Sequence, residues 1–301
     1  ALRRLITKKQ KIEGKLGHPK FVRAGKKYYW SADFPGLPSS TFNEYIKREF
    51  IRDKTVDTSA KPLQTIFFAI TNRCPLKCRH CFEWDKLDTT DKLSLTELQQ
   101  ILVKIQKQGI HHIQLSGGEP MVRLNDLLEI IRTSNRQNEF WILTSGFGLT
   151  NEKASLLKAA GLTGANISLD HWDEKQHNQF RNHEKSFSWV REAAASCNKN
   201  GLLLSLSLCA TREFLTEENL FKYLELAKEV QAGFIRILEP RTAGRFADQD
   251  VELTTEHSDL LEKFFLLINS DKKYKNYPIL LYPGYHQRRM GCFGAGNRYL
   301  Y

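Results

Sequence analysis

The stretch TIFFAITNRCPLKCRHC, residues 65–81, places an apolar strand pattern directly before three closely spaced cysteines. Its first seven residues are mostly aliphatic or aromatic and predict a buried strand. The cysteines that follow, Cys74, Cys78 and Cys81, have the spacing C-x3-C-x2-C. Three neighbouring thiols indicate a metal site, although a closed zinc site uses four ligands. Three thiolates can instead hold three corners of a [4Fe–4S] cube and leave the fourth iron open to a small molecule.

Outward from this stretch, strand patterns alternate with amphipathic helix patterns six times. Strands are predicted at residues 65–71, 110–116, 140–145, 164–170, 202–211 and 233–240. Helices are predicted at residues 94–109, 124–135, 151–161, 187–201, 216–230 and 255–270. Near-continuous apolar strands that alternate with helices indicate a parallel sheet covered by helices, and right-handed crossovers curl such a sheet. The predicted fold class is therefore α/β, a partial (β/α)6 TIM-like barrel of parallel strands.

This alternation divides the chain into three predicted regions. They are an N-terminal accessory segment (1–62), the barrel core (63–270) and an irregular C-terminal tail (271–301). The accessory segment has 15 Lys and Arg against 6 Asp and Glu, a net charge of +9, whereas the remainder carries only +2. A nearly neutral core argues against a nucleic-acid channel. The basic segment is either a solvated surface or a contact for an anionic membrane, an acidic peptide or nucleic acid.

The sequence also bounds the compartment in which the protein works. No apolar run has the length of about 18–20 residues that a membrane-spanning helix needs. The six cysteines are too few for a secreted disulfide scaffold of this length, and they fit a reducing cytoplasm. Cys197 is expected to be a core thiol. Cys209, near the end of the fifth predicted strand, is expected to be a buried, unreactive thiol, and the alternative is that it faces the cavity. Because the chain starts at Ala1 rather than Met and stops at NRYLY, we expect it to be a fragment.

A second motif, GGEP, follows the second predicted strand at residues 117–120. With the cysteine motif one strand earlier, it resembles the radical S-adenosylmethionine (radical SAM) superfamily over residues 64–245. The resemblance implies a [4Fe–4S] cluster on Cys74, Cys78 and Cys81, with SAM chelating the open iron. It also implies reductive cleavage of SAM to methionine and a 5′-deoxyadenosyl radical, which takes a hydrogen atom from the substrate. One departure is His80, which stands where the family usually has an aromatic residue.

The resemblance further implies a SAM-binding set at the carboxyl ends of the strands. The expected members are Gly117, Gly118, Glu119, Pro120, Thr144, Ser145, Ser168, Asp170 and Arg236. The paired glycines would let the backbone come close to the ligand, because they have no Cβ.

Individual roles follow from the same resemblance. Glu119 is expected to contact the methionine ammonium group of SAM. Ser168 and Asp170 are expected near its ribose or methionine part, and Arg236 at its carboxylate or at the substrate. The alternative for the strand-end residues is an ordinary satisfied polar group, and for Arg236 it is a salt bridge.

The tail MGCFGAGNRYLY, residues 290–301, resembles the start of the cysteine-rich C-terminal extension called SPASM or twitch. Such extensions hold auxiliary [4Fe–4S] clusters. Cys292 would be the first ligand of one, and the later ligands would lie beyond the end of this fragment. The alternative is that Cys292 binds no metal.

Members with such extensions often modify peptides or proteins, so the resemblance favours a peptide maturase whose basic segment binds an acidic leader. The alternative is a small-molecule enzyme of tetrapyrrole or nucleotide-derived cofactor biosynthesis, which EPRTAGR (239–245) also resembles. A further alternative is a non-catalytic iron–sulfur or zinc protein, in which a distant His or Cys completes the site. The expected partners are a reductant such as flavodoxin or ferredoxin and an acidic peptide or protein substrate.

Overall fold

The computed structural model describes residues 7, 20–54, 63–135, 137–292, 294 and 299–301, and for residues 50–54 it describes the backbone only. A short antiparallel hairpin comes first and an eight-stranded parallel sheet follows. The hairpin strands are β1 (Val22–Ala24) and β2 (Lys27–Tyr29). The sheet strands are β3 (Thr65–Ala69), β4 (His112–Ser116), β5 (Glu139–Thr144), β6 (Leu162–Ser168), β7 (Leu203–Cys209), β8 (Phe234–Leu238), β9 (Ile279–Leu281) and β10 (Tyr299–Leu300).

Nine α-helices have both ends among the described residues. They are α1 (Ser40–Lys54), α2 (Leu95–Lys107), α3 (Leu124–Thr133), α4 (Asn151–Ala160), α5 (Glu174–Arg181), α6 (Ser186–Lys199), α7 (Glu217–Glu229), α8 (Thr255–Ser270) and α9 (Pro283–Met290). The sheet order is β10-β3-β4-β5-β6-β7-β8-β9. The edge strands β10 and β9 are not paired with each other, so the sheet does not close on itself. The curled sheet is therefore a half-barrel, which confirms the predicted partial barrel.

All six predicted strands and all six predicted helices occur, with ends shifted by a few residues. The prediction of an irregular tail was wrong. β9 lies parallel to β8, with Ile279 opposite Phe234, and β10 lies parallel to β3, with Tyr299 opposite Thr65. These strands are only three and two residues long, too short to show a periodicity. Helix α5 was also missed, because its eight residues are mostly polar.

Alternation along the strands separates two faces of the sheet. The helix-facing set is apolar and joins the main core; it includes Ile113, Leu115, Ala165, Ile167, Leu204, Leu206, Ile235 and Ile237. The residues between them point to the concave face, which we call the lumen. Polar side chains dominate the middle of that face; they include Gln114, Asn166, Ser205 and Arg236. Toward the amino-terminal end of the lumen, β5, β7, β8 and β9 contribute the apolar side chains Trp141, Leu203, Phe234 and Ile279.

The accessory segment closes that apolar end of the half-barrel. Tyr29 and Ala32 pack against lumen residues of four strands, and this cluster includes Trp141, Leu203, Phe234 and Ile279. Following this contact, α1 packs its own aromatic and aliphatic side chains against the segment 30–37. Seven of the 15 basic residues of the predicted accessory segment lie outside the described residues.

Glu139, at the start of β5, anchors the accessory segment electrostatically. Its carboxylate accepts hydrogen bonds from Lys27 Nζ at 2.7 Å, from the Gly36 N–H at 3.3 Å and from the Tyr29 hydroxyl at 3.4 Å. Burial raises the pKa of Glu139, and the Lys27 charge opposes that rise. Gly36 lies flat on the Tyr29 ring, so close that an added Cβ would come within 2.3 Å of it.

None of the described helices is both long enough and apolar enough to cross a lipid bilayer.

Replacing Glu139 by Gln is expected to loosen the accessory segment. An amide has no charge, and its NH2 group only donates, so the ion pair with Lys27 is lost and one of the two oxygens near the Gly36 N–H is replaced by a donor. Because a buried donor without a partner costs about 1–3 kcal/mol, the free energy of unfolding in urea should fall by roughly that amount. Proteolysis within residues 20–38 should become faster.

The matched control is Glu229→Gln, which removes an ion pair between Glu229 and Arg191 whose side chains are both largely exposed. Exposed pairs contribute little to stability, so this variant should unfold like the parent. Equal losses in the two variants would contradict the anchoring role of Glu139.

Candidate active site

The three clustered cysteines lie in a long loop between β3 and α2, at the carboxyl edge of the sheet. Cys78 is buried, Cys74 and Cys81 are half-buried, and none of the three forms a disulfide. The Cys81 N–H donates to the Cys78 carbonyl at 3.3 Å, which closes a tight turn between these two thiols. We call residues 70–94 the cysteine loop.

Asp91 fixes the start of the cysteine loop. Its carboxylate accepts hydrogen bonds from the Thr71 hydroxyl and the Asn72 N–H, both at 2.8 Å, and from Arg73 Nε at 3.2 Å. These hydrogen bonds lower the pKa of Asp91 although burial acts in the opposite direction. Three successive residues before Cys74 are therefore held by one side chain.

The GGEP turn packs directly on the same three residues. The Gly118 N–H donates to the Thr71 carbonyl and the Glu119 N–H donates to the Arg73 carbonyl, both at 2.8 Å. A Cβ on Gly117 would lie 2.4 Å from the Thr71 oxygen, and one on Gly118 would lie 2.4 Å from the Arg73 oxygen. Both glycines are thus required by contact between two backbones, whereas the sequence suggested only contact with a ligand.

Glu119 joins the carboxyl ends of β4 and β5. One of its oxygens accepts from the Thr144 hydroxyl at 2.7 Å and the Met121 N–H at 3.1 Å. The other accepts from the Ser145 N–H at 2.8 Å and the Ser145 hydroxyl at 2.6 Å. Burial raises the pKa of the Glu119 carboxyl, and these hydrogen bonds limit the rise.

Three of the residues expected around SAM therefore contact one another. A carboxylate has about four acceptor positions, and all four on Glu119 are used by protein donors. A contact between Glu119 and a ligand ammonium group would replace one of these hydrogen bonds.

A buried ion pair lies beside Cys78. Asp170, just beyond β6, accepts a hydrogen bond from Arg181 Nε at 2.6 Å and from the Cys209 N–H at 3.0 Å. Arg181 in turn directs Nη1 at the Cys78 sulfur, 3.6 Å away. Burial alone would raise the pKa of Asp170, but the charge of Arg181 and the hydrogen bonds bring it below its ordinary value.

Arg181 was not predicted from the sequence as a functional residue. It is the last residue of α5, the helix that the hydrophobic pattern did not predict. The available signal was Asp173, whose side chain caps α5 by accepting from the Gln176 N–H. Beside this pair, the His80 ring stacks on Phe180 with centroids 4.9 Å apart, so an apolar neighbour accommodates the unusual residue in the motif.

The loop after β8 contacts the far end of the cysteine motif. The Arg245 N–H donates to the Cys81 carbonyl at 3.0 Å, and a Cβ on Gly244 would lie 2.1 Å from Phe82 Cα. The Arg245 guanidinium lies over the Trp84 ring at 5.2 Å. Gly244 and Arg245, the last two residues of the stretch 239–245 that was singled out in the sequence, therefore pack against the cysteine loop.

The chemistry of the three thiols fits an iron–sulfur cluster. Burial raises the pKa of Cys74 to about 12 and also raises that of Cys81. Such thiols ionise only when a metal or a cation stabilises the thiolate, and Arg181 supplies one cation at Cys78. Among the described residues, no group of three or more His, Cys, Asp or Glu side chains is close enough to hold a single metal ion.

A comparison with known protein families covers most of the sheet, including the cysteine and GGEP motifs. The family model described as "Radical SAM superfamily" matches residues 68–232, more than half of the chain. The chain belongs to the radical SAM superfamily. It is an enzyme of this class, and the [4Fe–4S] cluster and SAM that the superfamily uses are its cofactors. Enzymes of this superfamily need an electron donor. These findings confirm the resemblance seen in the sequence.

The individual proteins that match the chain share only about a third of the aligned residues with it. A GTP 3′,8-cyclase of Peptoclostridium acidaminophilum is 29% identical over 233 residues, which are 75% of this chain and 66% of the relative. A probable GTP 3′,8-cyclase of Methanocella arvoryzae is 32% identical over 118 residues, which are 39% of this chain and 38% of the relative. The chain thus spans less than two thirds of the curated relatives that it matches.

A structural likeness supports the fold alone. The structure of Streptococcus suis SuiB bound to its precursor peptide SuiA superimposes with a TM-score of 0.58. The superposition covers 81% of this chain and 53% of SuiB, at 12% sequence identity. At this identity the comparison carries no information about substrate.

The remaining predicted site residues are Pro120, Ser168 and Arg236. Pro120 starts a 3₁₀ turn immediately after Glu119, and Ser168 ends β6 opposite Ser207 of β7. Arg236 lies in the middle of β8 and pairs with Asp33 of the accessory segment. Their roles toward SAM remain predictions.

The predicted auxiliary-cluster ligand, Cys292, follows α9 and is exposed. Residues 293 and 295–298 of the SPASM-like stretch lie outside the described residues. The auxiliary cluster therefore also remains a prediction.

Replacing Gly118 by Ala is expected to displace the cysteine loop. The new Cβ would overlap the Arg73 backbone, and overpacking of this kind costs about 1–3 kcal/mol or forces the backbone to move. The variant should bind much less iron and sulfide than the parent after anaerobic reconstitution. Iron and sulfide analysis and visible absorbance measure this.

The control is Gly201→Asn in the turn before β7. Gly201 has φ near 63°, which Asn tolerates, and no heavy atom lies within 4 Å of a Cβ built there. This variant should bind as much iron and sulfide as the parent. If Gly118→Ala also did so, the contact between the GGEP turn and the cysteine loop would not position the cluster ligands.

Replacing Arg181 by Lys is expected to lower the reduction potential of the cluster. Lysine keeps a positive charge near Asp170 but cannot reach both Asp170 and Cys78 as a guanidinium does. Hydrogen bonds to cluster sulfurs raise the potential, so a redox titration followed by electron paramagnetic resonance should give a more negative midpoint. An unchanged midpoint would show that Arg181 does not act on the Cys78 sulfur.

Proposed function

We propose that this chain is the core of a radical SAM enzyme that acts on a small, nucleotide-type substrate. The observation that carries the substrate class is the similarity to GTP 3′,8-cyclases along 75% of the chain. This corresponds to the alternative of nucleotide-derived cofactor biosynthesis. The peptide-maturase interpretation has only a fold likeness behind it and stays a prediction.

In this proposal the cysteine loop holds the cluster through Cys74, Cys78 and Cys81. Once the cluster and SAM are bound, they supply one-electron cleavage of the sulfonium and a radical that abstracts hydrogen from carbon. Arg181 stabilises the negative charge on the Cys78 sulfur. The GGEP turn presents backbone carbonyls to the ammonium group of SAM, and Glu119 binds this group by exchanging one of its four hydrogen bonds to the protein.

Two features of the chain keep solvent from the reacting atoms. The accessory segment closes the amino-terminal end of the lumen, and the loop with Gly244 covers the Cys81 side of the cysteine loop. Exclusion of water protects radical chemistry from side reactions. We also infer that a small reductant protein such as flavodoxin or ferredoxin delivers the electron. The cytoplasmic location expected from the cysteine usage stays a prediction.

The test is nucleotide-dependent turnover of the reconstituted chain. The protein is loaded with iron and sulfide under anaerobic conditions and given SAM and a chemical reductant, with and without GTP. Formation of 5′-deoxyadenosine should be faster with GTP, and GTP should be converted to a product that mass spectrometry detects. If GTP and other nucleotides left the rate unchanged, the proposed substrate class would be wrong.

A pair of cysteine variants controls for the site of the chemistry. Cys78→Ala should abolish both cluster binding and 5′-deoxyadenosine. Cys197→Ala should keep both, because Cys197 lies in α6 within the helix-facing core. Product formation by Cys78→Ala would show that the cluster ligands are assigned incorrectly.

A further inference from the structure

A group of polar side chains lies in the middle of the lumen, and we call it the lumen floor. Its members are Asp33, Gln114, Trp141, Asn166, Ser205 and Arg236. Five of them come from five different strands of the sheet, β4 to β8, and Asp33 comes from the accessory segment. Each member is at most 8% exposed. The lumen floor is therefore a buried polar surface that the fold builds from distant parts of the chain.

Several polar atoms of the lumen floor have no hydrogen-bond partner among the described residues. They are Gln114 Oε1, Trp141 Nε1, Asn166 Oδ1, Ser205 Oγ and Arg236 Nε. A buried polar group without a partner is costly, and folded proteins rarely keep several together. The clustering of five such atoms on one concave face indicates a surface that binds a polar group.

The lumen floor has no net charge. Arg236 Nη2 donates to Asp33 Oδ1 at 2.5 Å, and Gln114 Nε2 donates to the same oxygen at 3.2 Å. His112, the other inward-facing residue of β4 near the floor, donates from Nε2 to the Ala32 carbonyl at 3.1 Å. Burial lowers the pKa of His112 to about 4, so it stays neutral near pH 7. One cation and one anion cancel, so a phosphate would gain little from Arg236 and would face Asp33.

The unpartnered atoms offer both donors and acceptors. Because a carboxylate can only accept, the Gln114 amide must turn its NH2 group toward Asp33, which leaves its oxygen as an acceptor. Arg236 Nε and Trp141 Nε1 can only donate. Gln114 and Arg236 converge on one oxygen of Asp33, so an acceptor and a donor lie close together on the floor.

We propose that the lumen floor binds an uncharged amide-type edge of the substrate, a carbonyl beside an N–H, and excludes phosphate. Under the proposed function, on which this inference rests, that edge is the lactam of a purine base such as guanine. Adenine lacks this edge, since it has an amino group and a ring acceptor in the same places. The accessory segment is part of the site, because its Asp33 neutralises Arg236.

Binding of nucleosides tests this proposal without relying on turnover. The reconstituted chain with SAM is titrated by calorimetry with guanosine, adenosine and GTP. Guanosine should bind at least about tenfold more tightly than adenosine, the factor that corresponds to one good hydrogen bond. GTP should bind no more tightly than guanosine.

Asn166→Leu and Asp33→Asn separate recognition from folding. Leucine has the same number of side-chain heavy atoms as asparagine but no polar atom, so Asn166→Leu removes an unpartnered polar group. Guanosine affinity should fall about tenfold while thermal stability is kept. Asp33→Asn leaves the Arg236 charge unbalanced, so the ratio of GTP affinity to guanosine affinity should rise about tenfold or more. The control is Ser196→Ala, which changes a buried serine in α6. It should change neither the guanosine affinity nor the ratio of GTP affinity to guanosine affinity.

The outcomes distinguish this inference from the proposed function. If guanosine binds Asn166→Leu as tightly as the parent, the lumen floor does not read the base, although the chain still acts on nucleotides. If no nucleoside binds, but a short peptide with Asn or Gln side chains binds and Asn166→Leu weakens it, amide recognition stands and the nucleotide-type substrate is wrong. Failure of all these ligands to bind would overturn both proposals.

Discussion

The site depends on one contact between two pieces of backbone, the GGEP turn and the start of the cysteine loop. Two hydrogen bonds of 2.8 Å join them, and they form only because Gly117 and Gly118 have no Cβ. The contact fixes the exits of β3 and β4 relative to each other, so it sets where the thiols lie. Glu119, in the same turn, extends this order to β5 through its four hydrogen bonds. A rigid carboxyl edge of the sheet is the result.

Two buried arginines each pair with an aspartate, and they face different parts of the interior. Arg181 is held by Asp170 and faces a thiol, whereas Arg236 is held by Asp33 and faces the lumen. A buried ion pair is weak evidence for stability, because desolvation offsets the attraction. Their locations suggest a positioning role: the first pair places a cation at the cluster ligand, and the second cancels a charge at the lumen floor.

Much of this arrangement was predictable from the sequence, and the missing parts share a cause. The six βα units have long apolar strands, and the cysteine and GGEP motifs are contiguous, so local patterns define them. β9 and β10 are too short to show a periodicity, and they are strands only because they pair with β8 and β3. Arg236 was singled out, but its partner Asp33 is 203 residues away in an irregular segment, and no local pattern connects the two. Polar residues held across the lumen have no sequence signal, because their contacts exist only after the sheet has curled.

The central claim is that the cysteine loop ligates three irons of a cluster and leaves one iron to SAM. Mössbauer spectroscopy of the chain reconstituted with enriched iron, with and without SAM, tests it most directly. The account predicts that SAM changes the spectrum of one iron site while the other three stay the same. A spectrum that SAM leaves unchanged at every iron, in a chain that holds a complete cluster, would contradict it.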